Sequence, residues 1–259
     1  MPTERPTLSA QQLKTLTALQ VKKYRQKYRM FVLEGTKLVS ELLERPHLRI
    51  HAVYGTSAWM EKHEAVVARA AGLFRRISEE ELRKISSLVT PPGVLAVAHM
   101  PSFPPPAREA AFFLDGIRDP GNVGTILRIA DWFGLSAVYC SPDCADAYSP
   151  KVVQASMGAI LRVPVVEISF SELLPLWRQR PIAGAVLNGD NAFQVVIPSD
   201  TLIVVGSEAE GVRPLTAAHL TQRLTIPRAP QSSADSLNAA VAAGILAALW
   251  AAQKLSTAH

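Results

Sequence analysis

Three short stretches place polar and glycine residues at spacings that could do chemistry. In the first, Asn122, Gly124 and Arg128 follow an apolar run that ends near Asp115 and a turn of Asp119, Pro120 and Gly121. Asp-Pro-Gly favours a turn, and Asn122 stands where it could cap the helix that follows. Val123, Ile126, Leu127 and Ala130 would form that helix's buried stripe, which leaves Arg128 on another face. A cation near the positive end of a helix calls for a compensating anion. An i,i+3 pair with Asp131 would serve as well as a bound phosphate, and local chemistry weighs the two evenly. In the second stretch the apolar run Leu202–Val205 leads into Gly206, Ser207, Glu208 and Gly211. The glycines permit close backbone approach. Glu208 occupies the place of a dinucleotide fingerprint's middle glycine and would repel a pyrophosphate, and no Gly-Lys-Ser/Thr follows to make a P-loop. In the third, Ile226-Pro227 precedes a polar loop and then Ser236-Leu237-Asn238 at the start of a long apolar segment. Cap preference alone would account for Asp235, Ser236 or Asn238.

The elements that must position these residues are read from the apolar pattern. Ala111–Leu114, Ala137–Cys140, Ile182–Leu187, Leu202–Val205 and Arg223–Ile226 read as buried strands alternating with helical segments, which predicts a parallel α/β sheet. Ligands gather at the strand ends of such sheets. Ser236 to Gln253 reads as a helix that is apolar on all sides, packed on sheet and partner together. Upstream, four prolines between Pro101 and Pro106 mark 101–109 as a linker, dividing the chain into 1–100 and 110–259. The first part predicts a smaller α/β domain. Its helices run from Ser9 toward Lys23, over Gly35–Leu43, over Trp59–Ala71 and over Ser78–Leu88, the last opened by a Ser78–Glu81 capping box. Its strands are His51–Tyr54 and Val94–Ala98.

Composition narrows the function. With 259 residues, 48% hydrophobic and 19% charged, the chain has ample core for two ordinary domains. The longest apolar run, Ala239–Ala252, has 14 residues, short of the roughly 20 that span a bilayer. No apolar stretch near Met1 suggests a secretory signal, so the cytoplasm is the expected address. Cys140 and Cys144 are too few for a disulfide scaffold, and the six scattered histidines do not complete a zinc site, so no metal is expected. Charge is concentrated: residues 1–49 carry ten Lys/Arg against four Glu, while the remainder carries 17 basic and 18 acidic groups. Within that segment Lys22, Lys23, Arg25, Lys27 and Arg29 interleave with Tyr24 and Tyr28. This pattern can neutralise phosphates and stack on bases, although a solvated helix face has the same composition.

Taken together, the three stretches resemble the SpoU/TrmH branch of the SPOUT RNA methyltransferases. Asn122, Gly124 and Arg128 match its N-x-G-x-x-x-R motif, and Gly206, Ser207, Glu208 and Gly211 match G-S/A-E-x-x-G. Ile226, Pro227, Ser236, Leu237 and Asn238 match its I-P and S-L-N. The likeness spans roughly Phe112 to Trp250. Between I-P and S-L-N this chain departs from the family: Arg228–Asp235 is longer and lacks the usual glycine. Leu19–Gly35, a basic run followed by F-x-x-E-G, resembles the ribosomal-protein-like substrate-binding domain that often precedes this catalytic domain.

The resemblance implies a parallel sheet closed by a deep trefoil knot, a topology that patterning would never suggest. It also implies a homodimer whose two subunits complete the site, and S-adenosylmethionine held by Leu187, Val205, Gly206, Ser207, Gly211, Ile226 and Leu237. The implied reaction is methyl transfer to a ribose 2′-hydroxyl, with 23S-type ribosomal RNA favoured as substrate. Arg128 would bind the adjacent phosphate and stabilise alkoxide charge, since a guanidinium scarcely gives up its proton. Asn122 and Asn238 would orient the ribose or Arg128, Glu208 would fix Arg128 or relay a proton, and Ser236 would hydrogen-bond within the site. Transfer RNA is the alternative substrate, and a non-catalytic RNA-binding or ribosome-assembly factor the alternative class.

Overall fold

The computed structural model describes residues 7–70, 72–103, 109–177 and 180–256; the centre of the Pro-rich linker, 104–108, lies outside them. Two compact units emerge, Met1–Ser102 with Tyr148–Leu161, and Phe103–Ala147 with Arg162–His259. The division is therefore not one cut at the prolines, because 148–161 belongs with the first unit.

The first unit runs α1 (Ala10–Ala18), α2 (Lys22–Tyr28), β1 (Met30–Glu34), α3 (Thr36–Leu43), β2 (Ile50–Gly55), α4 (Ser57–Lys62), α5 (Glu64–Arg69), β3 (Phe74–Arg76), α6 (Glu79–Ile85) and β4 (Val94–His99). Its sheet has the order β1-β4-β2-β3, with β4 antiparallel to both neighbours and β2 parallel to β3. Capping boxes start two helices, Ser9 with Gln12 and Ser78 with Glu81, each partner satisfying an otherwise unpaired backbone N–H. The helix expected from Ser9 to Lys23 is instead two. α1 stops at Ala18, and Val21 is extended before α2 begins. The segment Trp59–Ala71 likewise splits at His63, whose backbone leaves helical geometry while its ring stacks on Trp59. β1, unforeseen as a strand, is buried at every position and so shows no alternation.

The second unit supplies β5 (Ala111–Asp115), α7 (Pro120–Phe133) and β6 (Val138–Cys140). After α8 (Pro150–Ala155), which lies in the first unit, come β7 (Val165–Glu167), α9 (Phe170–Trp177), β8 (Ile182–Asn191), β9 (Leu202–Gly206), α10 (Pro214–Ala217), β10 (Gln222–Thr225) and α11 (Ala239–Ser256). The six strands lie in the order β10-β8-β9-β5-β6-β7 and every pairing is parallel. Helix-connected parallel strands bury both faces, as the fully buried β5 shows. The chain builds outward from β5 through β6 to β7, then returns to place β9 on β5's other side. β5 and β9 are thus neighbours whose following loops diverge, the arrangement that opens a crevice in such sheets. Asp115 and Gly206, the last residues of these strands, are paired in register. Among the described residues no helix is long and apolar enough to cross a membrane.

Candidate functional site

Asp119, and not Asn122, caps α7. Its side chain accepts from the Asn122 N–H at 2.8 Å, and Pro120 fills the first helical position, where a missing N–H costs nothing. Asn122, one turn inside, is therefore free to look elsewhere. Its Nδ2 donates to Glu208 Oε1 at 2.5 Å, and its Oδ1 accepts from Asn238 Nδ2 at 2.9 Å. Glu208 Oε1 also accepts from the Ala239 N–H at 3.2 Å and lies 3.5 Å from Asn238 Nδ2. Asn238 Oδ1 in turn takes the N–H groups of Ala240 and Val241, capping α11. A carboxylate at the positive start of a helix is electrostatically favoured. The three motifs are thereby tied into one polar knot at the starts of α7 and α11.

Glu208 is held there by the turn after β9. Ser207 and Gly211 form a two-residue bridge, with the Gly211 N–H donating to the Ser207 carbonyl at 2.8 Å. A Cβ on Gly206 would lie 2.0–2.3 Å from the backbone of Gly211 and Val212, so no other residue fits. Behind the turn stands an ionic bracket that sequence reading missed. Asp115, only 3% exposed, accepts from the Arg213 N–H at 2.9 Å and faces Arg213 Nε at 3.2 Å. Arg213 Nη2 reaches Asp143 at 2.8 Å, and Ser141 Oγ at 3.3 Å. Burial alone would raise the Asp143 carboxyl, but hydrogen bonds from Arg213 and Ser141 outweigh it and hold the group below its ordinary range. Nothing in the local pattern announces this bracket, because its members lie on three separated segments.

Above the turn opens a cleft of about 750 Å³. All seven residues assigned to a methyl donor line it: Leu187, Val205, Gly206, Ser207, Gly211, Ile226 and Leu237, together with Glu208 and Ser236. Leu187 is 73% exposed and Leu237 46%, an unusual display of apolar surface inside a polar loop cluster. The cause at Leu187 is a register jump between β8 and β10, from Gly184 opposite Arg223 to Asp190 opposite Leu224, which lifts 185–189 out of the ladder. The long loop after Ile226 folds on itself. Arg228 Nη1 donates to the Ala234 carbonyl at 3.1 Å and the Ser232 N–H to that of Ala229 at 2.9 Å, so it walls the cleft without filling it.

Some expected contacts do not form. Glu208 does not pair with Arg128, and the Ser236 hydroxyl makes no hydrogen bond among the described residues. Nor does Arg128 pair with Asp131, which forms a two-pronged bond with Arg162 at 2.9–3.0 Å. Arg128 stays exposed on α7 and outside the cleft lining. In the first unit Arg25 is 3% exposed and donates to the Leu19 carbonyl at 2.8 Å, so it braces the α1–α2 turn and is removed from the RNA-facing set. Lys23, Lys27 and Arg29 are exposed and Lys22 partly so, beside the stacked rings of Tyr24 and Tyr28. Cys140 and Cys144 are both buried and reduced, and no group of metal-ligating residues occurs among the described residues.

The fold and this cluster of loops at the ends of a parallel sheet define an α/β protein with a cleft of small-molecule size beside its central strands. The chain matches a solved structure of a TrmH-family protein from Porphyromonas gingivalis with a TM-score of 0.84 and 38% identity, over 94% of this chain and 98% of that one. An S-adenosylmethionine-bound rRNA methyltransferase from Sinorhizobium meliloti matches with a TM-score of 0.83 and 27% identity, over 98% of each chain. The 23S rRNA (guanosine(2553)-2′-O)-methyltransferase RlmP of Bacillus subtilis is 29% identical over 91% of this chain and 94% of its own length. Residues 109–248 match the SpoU rRNA methylase family, and residues 10–96 match the MRM3-like substrate-binding domain. The chain belongs to the SpoU rRNA methylase family.

Proposed function

We propose that this protein methylates a ribose 2′-hydroxyl of 23S-type ribosomal RNA, using S-adenosylmethionine, as a cytoplasmic homodimer with the knotted chain path of its family. The observation that carries the reading is the convergence of all seven donor-site residues on one cleft whose rim holds the Asn122–Glu208–Asn238 cluster. The cleft has the size of small-molecule sites. Exposed Leu187 and Leu237 and half-buried Ile226 suit the faces of a purine, and the backbone of Val205, Gly206 and Ile226 suits its polar edges. When bound, S-adenosylmethionine supplies a methyl on a sulfonium: the 2′-oxygen takes the carbon, sulfur keeps the bonding pair, and the hydroxyl proton leaves.

This chain's residues orient the acceptor and manage that proton. Glu208, fixed by Asn122, Asn238 and the Ala239 N–H, is a rigid acceptor at the cleft wall for a hydroxyl proton or the water that carries it. Arg128 has no side-chain partner of its own among the described residues, so its guanidinium is available to an RNA phosphate and to developing oxyanion charge. Its position outside its own chain's cleft lining fits a site completed by a second copy. Relatives named for 2′-O-methylation of 23S rRNA favour ribosomal over transfer RNA. The test is calorimetric titration with S-adenosylmethionine, for the native protein and for Arg128→Ala, followed by mapping of 2′-O-methylation in cellular RNA. Saturable donor binding that survives the substitution, with loss of one mapped methyl group in cells lacking the protein, is the expected outcome. Absence of donor binding with and without RNA would overturn the reading.

A further inference from the structure

At one end of the first unit's sheet, strand pairing places basic residues of three chain segments side by side. β1 and β2 begin where β4 ends: Met30 pairs with His99, and Ile50 with Ala98. The residues that flank these pairs are Arg29, Arg49, His51 and His99. The Met100 N–H donates to the Arg29 carbonyl and the His99 N–H to that of Arg49, both at 2.8 Å, so the two arginine backbones are pinned on either side of the β4 terminus. The His51 and His99 rings meet nearly edge-on at 5.9 Å. Arg29, Arg49 and His51 are exposed and His99 is half-buried.

Among the described residues no carboxylate is paired with this corner. Among the described residues, none of the four side chains makes a hydrogen bond or ion pair. His99 is held below its ordinary range by burial, then by Arg49 and His51, all of which act against a further positive charge. Arg29 also occupies a left-handed backbone conformation with φ of 53°, a position at the end of a helix that ordinarily favours glycine or asparagine. Like charges gathered without a counter-charge are unfavourable in isolation and create a positive potential that attracts an anion. The corner is continuous with α2, which ends at Arg29 and exposes Lys23 and Lys27 beside the stacked Tyr24 and Tyr28.

We propose that Arg29, Arg49, His51 and His99 form a phosphate-binding corner that grips the backbone of the substrate RNA, extending the basic face of α2 onto the sheet end. The inference rests on the RNA-substrate reading above and names a binding site for it outside the methyl-transfer cleft. Local periodicity did not reveal it, because its residues lie on three segments far apart in sequence, at 29, at 49–51 and at 99, which strand pairing brings to one sheet end.

The test is anisotropy of a short fluorescein-labelled single-stranded RNA with the full-length protein across a salt series. Each phosphate contact removed should lower the slope of log affinity against log salt by about 0.7. Arg29→Gln with Arg49→Gln should therefore flatten the slope by about 1.4 and weaken binding about tenfold or more at low salt. Lys62→Gln, a charge removed from α4 beyond the other end of β2, should leave the slope unchanged. His51→Gln with His99→Gln should weaken binding severalfold and keep the wild-type melting temperature. A double-arginine variant that melts like the native protein and shows an unaltered slope would overturn the proposal. S-adenosylmethionine titration of the same samples separates the two readings. Donor binding with an unaltered slope sinks the corner alone, and a flattened slope without donor binding sinks methyl transfer alone.

Discussion

Arg128 and Glu81 carry the sharpest consequences at the level of single side chains. Arg128 is exposed and makes no side-chain bond among the described residues, so its replacement should cost function without costing fold. Arg128→Lys keeps the charge and loses the planar fork. It should lower kcat/KM for methyl transfer by about 10²-fold, with a melting temperature unchanged within about one degree by scanning calorimetry. Glu81 is the reverse case, a structural residue of the first unit. Burial opposes its ionisation, but hydrogen bonds from the Ser78 and Leu8 backbones and from the Thr7 and Ser78 hydroxyls together bring its pKa down to about 2. A carboxyl depressed on folding stabilises the protein above its unfolded pKa. That contribution, on the order of 2 kcal/mol, is lost as pH falls from about 4.5 toward 2. Urea titrations over that range should show the native protein losing stability where Glu81→Gln shows a smaller dependence.

The turn between β9 and α10 is where several side chains act as one element. It presents Glu208 to the starts of α7 and α11, and it is anchored from behind by Arg213 on Asp115 and Asp143. Asp115 is buried, so removing its cation leaves a charge without a partner. Arg213→Met should cost about 3 kcal/mol in chemical denaturation and weaken donor affinity through the displaced turn. Arg213→Lys should recover part of the stability. Gly206→Ala acts on the same element sterically. Its methyl group would collide with backbone at 211–212, so the turn must open, and donor binding in calorimetry should fall well beyond tenfold. The glycines of this turn were legible in sequence as permitting close backbone approach, although an ordinary turn between strand and helix has the same composition, and Glu208 gained its place only from the family resemblance. Arg213 did not stand out, since an arginine after Gly-Val carries no local signal until strand order brings Asp115 beside it.

Across the whole molecule, the exposed apolar side chains bear on assembly. Trp132, 84% exposed, lies one turn beyond Arg128 on α7, and Val241 is exposed near the start of α11, which packs on α7. If the proposed homodimer uses this face, sedimentation equilibrium should give about twice the 28.1 kDa chain mass. Trp132→Glu should then yield monomers that have lost methyl transfer. Much of this architecture was legible beforehand. Apolar runs such as Ala111–Leu114 and Leu202–Val205 dictated buried parallel strands, because only a sheet covered on both faces consumes unbroken apolar segments. Resemblance to a family's three ordered motifs, rather than the local chemistry of any one of them, joined Asn122, Glu208 and Asn238 into one expected site. Tertiary structure alone decided which of those side chains bond one another, that Arg25 is buried while Arg29 is exposed, and that Arg49, His51 and His99 lie at the same sheet end as Arg29. Such facts depend on strand order and register, which join residues far apart in sequence, and periodicity records only which side of an element is apolar, not what lies across from it.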